Sequence, residues 1–147
     1  KAGESPWNSI RPTKVTPEVE AATEVPAHLT EPAKKAPVVL VFCVDLQVVA
    51  STDKNLERVG VISGGSIYPF VWNALLAARN EGFGGTITTL AVAQEPKLQQ
   101  ALNIPSHVAI AAIVPLGKPA KQLSKLRRRP VEDIVRLERF DGAPFKG

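Results

Sequence analysis

Two short apolar runs limit what this sequence can fold into. Residues 38–44 follow Pro37 and have the sequence VVLVFCV, and residues 107–114 have the sequence HVAIAAIV. Each run is too short to cross a membrane as a helix and too continuous for a strand with one solvated face. Both therefore predict strands that are buried on both faces. The first contains the only cysteine, Cys43, which we expect to be buried and unreactive.

The segment between the two runs has the periodicity of helices. Apolar residues recur every three or four positions over residues 56–82, which predicts one long helix that Pro69 kinks and Gly82 ends. Residues 95–103 predict a shorter amphipathic helix. Buried strands and helices in this order indicate an α/β or α+β layer fold.

The two ends of the chain differ from this middle part. Residues 1–37 contain six of the 13 prolines and predict an extended arm or loop, with one helical turn near residues 18–23. We expect the folded domain at residues 38–139, ending in a helical turn or short strand, and a tail at residues 140–147. The chain contains no methionine and begins with lysine, so we expect a chain that is processed, trimmed or a fragment of a longer one.

The net charge of +4 comes from the C-terminal segment. Residues 115–147 contain nine basic and four acidic residues, whereas residues 38–114 contain four basic and five acidic ones. A cationic cluster favours an anion such as a phosphate, a nucleic-acid backbone or an acidic partner. No aromatic residue lies among the arginines, so we expect no nucleic-acid binding. We also expect no metal site, no membrane contact and a cytoplasmic protein, since ligand clusters, spans and export signals are not found.

Two segments are candidates for contacts with a ligand. Residues 84–89, GGTITT, combine glycines that permit close backbone approach with hydroxyls that donate or accept hydrogen bonds. Residues 126–130, LRRRP, offer guanidinium groups whose planar donors match phosphate oxygens. An ordinary turn into an edge strand and a solvated basic loop are the respective alternatives. The sequence contains no persuasive catalytic triad or acid–base cluster, so we predict no catalytic side chain.

The order of four segments carries a family resemblance. APVVLVFCVD, GGSIYPFVWNALLAARNEGFGGTITTL, LQQALNIPSHVAIAAIVPLGKP and LRRRPVEDIV follow one another over residues 36–136. This combination resembles the C-terminal half of the FMN-dependent nitroreductase superfamily, which includes oxygen-insensitive nitroreductases and flavin-type iodotyrosine deiodinases. The resemblance implies an α+β, three-layer fold with a mixed central sheet flanked by helices, incomplete without the N-terminal half. It also implies a homodimer with FMN at the interface.

The resemblance further implies an FMN-dependent NAD(P)H oxidoreductase. In this family NAD(P)H reduces the flavin and leaves, and a small acceptor such as a nitroaromatic compound or a quinone is then reduced. The cofactor carries such chemistry, which agrees with a chain that has no acid–base cluster. A non-catalytic flavin-binding, storage or regulatory module is the alternative, because the family's arginine-rich opening segment and its Pro-Ser-x-x-Asn-x-x-Pro-Trp stretch are not found in this sequence.

The same resemblance assigns cofactor-binding residues. Ile87, Thr88 and Thr89 correspond to positions that line the flavin ring through backbone and hydroxyl contacts. Arg128 corresponds to a basic residue on the FMN phosphate, and Arg127 takes that role if the register is shifted by one. The helix predicted over residues 56–82 corresponds to the helix that packs in the dimer core.

Overall fold

Helices and strands alternate along the residues that the structure, a computed structural model, describes: 27–58, 60–121 and 124–146. The elements in chain order are helix α1 (Ala27–Lys35), strand β1 (Val38–Asp45), helix α2 (Ile67–Asn80), strand β2 (Gly84–Gly85), helix α3 (Glu95–Leu102) and strand β3 (Val108–Gly117). Short 3-10 turns occupy Ile62–Gly64, Leu90–Gln94 and Val131–Asp133. These elements confirm the α+β fold class. No helix within these ranges is long and apolar enough to cross a membrane.

Strand β3 is the centre of the sheet. It pairs antiparallel with β1 on one side and with β2 on the other. Its residues Ile110, Ala112 and Val114 are buried, which confirms the buried strand predicted over residues 107–114. The strand continues through Gly117 rather than ending at Pro115.

Strand β1 departs from its prediction. It was expected to be buried on both faces, but among the described strands it lies at the edge of the sheet, and Val38, Val39 and Leu40 are exposed. Only its second half, from Val41 onward, is half-buried. The prediction is wrong because an apolar run shows which surroundings a strand prefers, and the described residues do not cover the side chains of Val38, Val39 and Leu40.

A β-bulge interrupts the pairing of β1 with β3. Phe42 lies opposite Ala112 and Cys43 opposite Ile110, so Ala111 is an additional residue in β3. Two side chains satisfy the backbone groups around this bulge: the Glu95 carboxylate accepts a hydrogen bond from the Ile110 N–H at 2.5 Å, and the Tyr68 hydroxyl donates to the Ala111 carbonyl at 3.3 Å. Tyr68 belongs to α2 and Glu95 to α3, so both helices are bonded to the central strand. These bonds matter because buried backbone groups are costly to leave unpaired.

Helix α2 packs one face against the sheet. Val71 forms the core with Ala112 and Val114, and the half-buried Ile67 and Leu75 flank it. These three helical residues are separated by four positions each, which places them on one face. The two flanks of this face carry exposed apolar side chains, Phe70 on one side and Trp72 on the other.

The helix is shorter than predicted. It starts at Ile67 rather than near residue 56, and Pro69 therefore lies in its first turn, where a missing N–H costs no hydrogen bond and causes no kink. The predicted end is confirmed. Gly82 has a φ of 84°, its N–H bonds to the Arg79 carbonyl at 3.0 Å, and the Phe83 N–H bonds to the Ala78 carbonyl at 2.9 Å. This is a Schellman cap, which favours glycine at the left-handed position.

The residues before α2 form a loop around a buried carboxylate. Asp53 is 5% exposed, and one of its oxygens accepts hydrogen bonds from Arg58 at 2.8 Å, the Val61 N–H at 2.8 Å and the Ile62 N–H at 3.4 Å. Backbone donors that a helix over residues 56–66 would direct along its axis are instead directed at this carboxylate. That competition, together with Gly64 and Gly65, explains why the long helix does not form.

The two ends are more regular than predicted. The extended arm predicted for residues 1–37 is wrong for Ala27–Lys35, which is helical. Glu31 pairs there with Lys34 at 3.2 Å and Lys35 at 3.3 Å, a spacing at which ion pairs add modestly to helix stability. The helical turn near residues 18–23 lies outside the described residues. The predicted tail folds back: Arg136 pairs with Pro144 in a β-bridge. Residues 124–130 are irregular, as predicted.

The core predicts a large effect of one truncation. We expect Val71→Ala to lower the free energy of unfolding by about 2 kcal/mol, because it removes two buried methyl groups and leaves a cavity between α2 and β3. Val48→Ala removes the same atoms from a side chain that is 80% exposed, and we expect almost no change. Urea unfolding of both variants measures the difference, and equal losses would contradict the assignment of the core.

The Asp53 loop predicts a dependence on pH. The Val61 N–H, helped by Arg58 and the Ile62 N–H and opposed by burial, holds the pKa of Asp53 below its usual value. A carboxyl with a lowered folded pKa stabilises the fold above its unfolded pKa of about 3.9, and this stabilisation is lost as the pH falls through the folded pKa. We therefore expect the loop to loosen only in acid well below pH ~4.

Nuclear magnetic resonance of the Asp53 carboxyl carbon measures that pKa directly. Asp53→Asn should destabilise the chain near neutral pH and reduce the acid dependence of unfolding. Asp141→Asn is the control, since that carboxylate is exposed and its ion-pair partner, Arg139 at 3.7 Å, is exposed as well. A normal titration of Asp53 would contradict the prediction.

Candidate functional site

A groove opens at one end of the sheet, where β1 and β2 begin and β3 ends. Val38 lies opposite Leu116 and Gly84 opposite Gly117, so these three strand ends are aligned. The C-terminal half of α2, the end of α1 and the segment after β3 form its other walls. The volume is about 660 Å³, which is within the range of sites for small molecules. We call it the sheet-end groove.

The described residues that line the sheet-end groove include four basic side chains and no acidic one. They are Lys35 from α1, Arg79 from α2, and Lys118 and Lys121 from the segment after β3. Lys35 forms an ion pair with Glu31 at 3.3 Å, and Glu31 also pairs with Lys34. Lys118 and Lys121 form no ion pair within the part of the chain that the structure describes. The groove is therefore a positively charged cleft, which favours anionic ligands.

The wall between these cations is apolar. Trp72, Leu75 and Leu76 contribute it from α2, and Phe83 and Leu116 continue it. Trp72 keeps more than half of its surface exposed. An exposed indole beside lysines combines a flat apolar face with positive charge, and such a surface suits an aromatic anion better than a purely aliphatic one.

The floor of the groove contains an interrupted strand ladder. Residues 84–88 run antiparallel to β3 in one register, since Gly84 pairs with Gly117, Gly85 with Leu116 and Thr88 with Ile113. In that register Thr86 lies opposite Pro115, which has no N–H to donate. The Thr86 carbonyl consequently receives no hydrogen bond from Pro115, and Thr86 is exposed at the groove.

The residues assigned to the flavin ring follow directly after this interruption. Ile87 packs its side chain against the core. Thr88 exchanges two backbone hydrogen bonds of 2.9 Å with Ile113, and its hydroxyl accepts the Leu90 N–H at 3.3 Å. Thr89 is exposed and precedes the 3-10 turn. The structure thus anchors Ile87 and Thr88 and presents Thr89 and the Thr88 hydroxyl for further contacts.

Arg127 and Arg128 lie apart from the sheet-end groove. Both are exposed in the irregular segment after residue 123, and neither is among the residues that line the groove. Within the described ranges they form no ion pair, whereas Arg129 lies 3.7 Å from Asp133. The structure therefore leaves both side chains accessible and brings neither into the groove that holds Lys118 and Lys121.

Cys43 has the character expected of a structural cysteine. It is half-buried. Burial raises the pKa of its thiol, and the negative charge of the nearby Glu95 carboxylate raises it further. A raised pKa lowers the thiolate fraction and hence the reactivity. Lys118 and Lys121 belong to the C-terminal cationic cluster that the sequence shows. Arg79 and Trp72 were not identified from the sequence, because they become neighbours of these lysines only when the strand ends align.

The fold of the chain is similar to that of several solved structures. NfrA2 of B. megaterium matches with a TM-score of 0.57 and 20% identity, covering 78% of this chain and 53% of that one. NADPH:FMN oxidoreductase of Vibrio harveyi, complexed with NAD+, matches at 0.56 and 23%, covering 77% and 54%. Nitroreductase A of Vibrio parahaemolyticus matches at 0.56 and 24%, covering 78% and 53%.

These similarities confirm the resemblance at the level of fold. The described residues adopt the C-terminal portion of the nitroreductase fold, and the chain spans about half the length of the solved structures it matches. No family profile matches the sequence, and neither does any curated protein.

The close contact of β2 with β3 predicts that Gly85 is needed to form the groove. A Cβ at Gly85 would lie 2.8 Å from the Pro115 carbonyl oxygen, a backbone atom, whereas one at Gly84 would meet only the Pro119 ring at 3.1 Å. We expect Gly85→Ala to cost about 1–3 kcal/mol in unfolding free energy and Gly84→Ala to cost less.

Two measurements test this pair of variants. Thermal unfolding gives the loss of stability, and hydrogen exchange of the Thr88 amide reports whether residues 84–88 still align with β3. Faster exchange in Gly85→Ala than in Gly84→Ala is expected. Equal behaviour of the two variants would show that the contact at Gly85 is not limiting.

Proposed function

We propose that this chain is the flavin-holding portion of an FMN-dependent NAD(P)H oxidoreductase that reduces a small acceptor such as a nitroaromatic compound or a quinone. The observation that carries the proposal is the fold that the chain shares with a nitroreductase and an NADPH:FMN oxidoreductase. That fold places residues 84–89 at the edge of a firmly paired central strand, where a rigid scaffold supports ligand contacts.

The donors around residues 87–89 fit a flavin ring. A flavin presents ring nitrogens and carbonyl oxygens along its edge, so its site must supply hydrogen-bond donors. The Thr88 hydroxyl accepts the Leu90 N–H and retains its own proton to donate. The Thr89 hydroxyl is exposed and adds a second donor. Thr88 is fixed by its paired bonds to Ile113, so these donors need little reorganisation on binding.

Arg128, with Arg127 as its alternative, would hold the phosphate of FMN. A guanidinium donates through a planar fork that matches two phosphate oxygens and stays charged at every physiological pH. The exposure of both side chains and the lack of ion pairs in the described ranges leave these donors available.

Bound FMN supplies the transfer of electrons between NAD(P)H and the acceptor, and the residues of this chain position it. Thr88 and Thr89 would hold the edge of the flavin ring. Ile87, packed against the core, would keep residues 87–89 in a fixed position beside β3. No side chain of the described residues is needed as a proton donor in this proposal.

A homodimer would cover the apolar surface that α2 leaves exposed. Phe70 and Ala77 lie on one exposed flank of this helix, seven positions apart, and Phe70 contacts Phe42 with ring centroids 5.7 Å apart. Trp72 and Leu76 lie on the other flank and face the sheet-end groove. We propose that the flank with Phe70 and Ala77 contacts a second copy, so the groove stays accessible.

The phosphate role predicts a measurable loss of FMN affinity. We expect Arg128→Ala to weaken FMN binding by about 10- to 150-fold, which corresponds to the roughly 1.5–3 kcal/mol of a charge-assisted contact. Arg139→Ala is the matched control, because this arginine is exposed and lies 3.7 Å from Asp141. Fluorescence titration of FMN with each variant gives the dissociation constants.

Two further outcomes test the proposal. A loss in Arg127→Ala with no loss in Arg128→Ala would shift the register by one residue, and no loss in either variant would contradict the phosphate role. Addition of NAD(P)H to the FMN-loaded protein should bleach the flavin absorption. Bound FMN that NAD(P)H cannot bleach would favour a storage or regulatory module instead of an enzyme.

A further inference from the structure

We propose that the sheet-end groove receives the ring of Phe140 from a second copy of this chain. Phe140 lies at the tip of a turn formed by residues 135–145, which we call the Phe140 turn. Among the described residues that line the groove, none belongs to this turn, so the two are separate surfaces. Each copy therefore carries one projecting turn and one receiving groove. The contact depends neither on a flavin nor on the flank of α2 that carries Phe70.

Backbone hydrogen bonds fix the base of the Phe140 turn. The Phe145 N–H bonds to the Val135 carbonyl at 3.0 Å, and the Leu137 N–H bonds to the Ala143 carbonyl at 2.9 Å. A turn held in this way needs little further ordering when it binds. The side chain at its tip is nevertheless 102% exposed, so no described residue covers the Phe140 ring. Because this ring contributes no buried surface to the fold, we assign it to a contact with another molecule.

The sheet-end groove offers an apolar surface to such a ring. Trp72 and Leu76 line it from α2, and Phe83 continues it. All three side chains are about half exposed, so apolar surface at the groove remains in contact with water. An aromatic side chain that enters a cleft and covers such a surface is the typical anchor of a protein interface. The volume of about 660 Å³ admits the ring together with neighbouring side chains of the turn.

The charges of the two surfaces are complementary. Residues 115–131 contain six basic residues and no acidic one, whereas residues 132–141 contain four acidic residues and two basic ones. At the tip, Arg139 and Asp141 pair with each other at 3.7 Å, and Glu138 has no ion pair within the described ranges. The tip thus combines an aromatic ring with a net negative charge. Docking would bring this charge to Lys118 and Lys121 of the groove, which favours the complex.

A second copy satisfies both surfaces in one arrangement. Because each chain carries one turn and one groove, a two-fold pair would form the same contact twice and leave neither surface open. A pair that does not close would instead link copies in a row through the identical contact. Both arrangements place Phe140 in the groove of a neighbour, and the size of the assembly distinguishes them.

Photo-crosslinking tests where the Phe140 ring lies. The 147-residue chain is prepared with the photoreactive analogue benzoylphenylalanine at position 140 and mixed with an equal amount of isotope-labelled unmodified chain. We expect crosslinks from position 140 to the groove residues within 72–86 and 115–121 of the labelled chain. Crosslinks to a different surface, crosslinks confined to one chain, or none at all would overturn the proposal.

Sedimentation equilibrium tests the contribution of each surface. We expect Phe140→Ala and the double variant Lys118→Glu/Lys121→Glu each to weaken self-association by about tenfold or more. Val48→Ala is the control, because it shortens an apolar side chain that is 80% exposed and lies outside both surfaces. All the replaced side chains are exposed at least in part, and circular dichroism of each variant checks that the fold is retained.

Mixing the two defective variants separates this contact from any other. The Phe140→Ala chain keeps an intact groove, and the Lys118→Glu/Lys121→Glu chain keeps an intact turn, so the mixture should regain one contact and associate more strongly than either variant alone. A contact through the flank of α2 is present in both variants before mixing and cannot produce this recovery. Unchanged association of both variants, or a mixture no stronger than its components, would overturn the proposal.

Discussion

The pairing of β3 on both of its edges is the constraint on which the other parts of this structure depend. Helices α2 and α3 both contact this strand: α2 through Val71 packed on Ala112 and Val114, and α3 through Glu95. The bulge at Ala111 makes the strand more than a passive core element. It releases backbone groups from the ladder, and side chains of both helices capture them, so the positions of helices and strands are coupled.

The candidate ligand contacts follow from the same strand. Its end, together with the starts of β1 and β2, forms the sheet-end groove, and its Pro115 offers no N–H to the Thr86 carbonyl. Two residues earlier, Ile113 pairs fully with Thr88 and fixes the segment proposed to contact the flavin. Within residues 86–88, β3 therefore fixes Thr88 through two hydrogen bonds and leaves the carbonyl of Thr86 without a donor.

Those parts of the fold that depend on local chemistry could be predicted from the sequence. The apolar run that became β3, the glycine cap of α2 and the short helix α3 each need only neighbouring residues for their explanation. The start of α2 could not be predicted, because it depends on Asp53 capturing backbone N–H groups eight and nine residues away. The exposure of β1 could not be predicted either, since hydrophobicity specifies burial without specifying the neighbour that provides it.

The candidate site divides in the same way. Residues 87–89 and the arginines at 127 and 128 could be proposed as ligand contacts from the sequence because each forms a contiguous segment with a characteristic composition, and their roles stay predictions. Lys35, Arg79 and Lys118 belong to three separate segments, and only the aligned strand ends bring them to one cleft. A site made of single residues from distant segments leaves no pattern in one sequence.

The exposed start of β1 has a consequence for the behaviour of the chain in solution. Val38, Val39 and Leu40 present an uncharged edge without the lysines or prolines that commonly protect such edges within a strand. Pro37, directly before them, has no N–H and therefore limits how far a foreign strand could extend along this edge toward the N-terminus. The edge is thus a short apolar strip that ends at Pro37, and pairing with another strand would remove it from water.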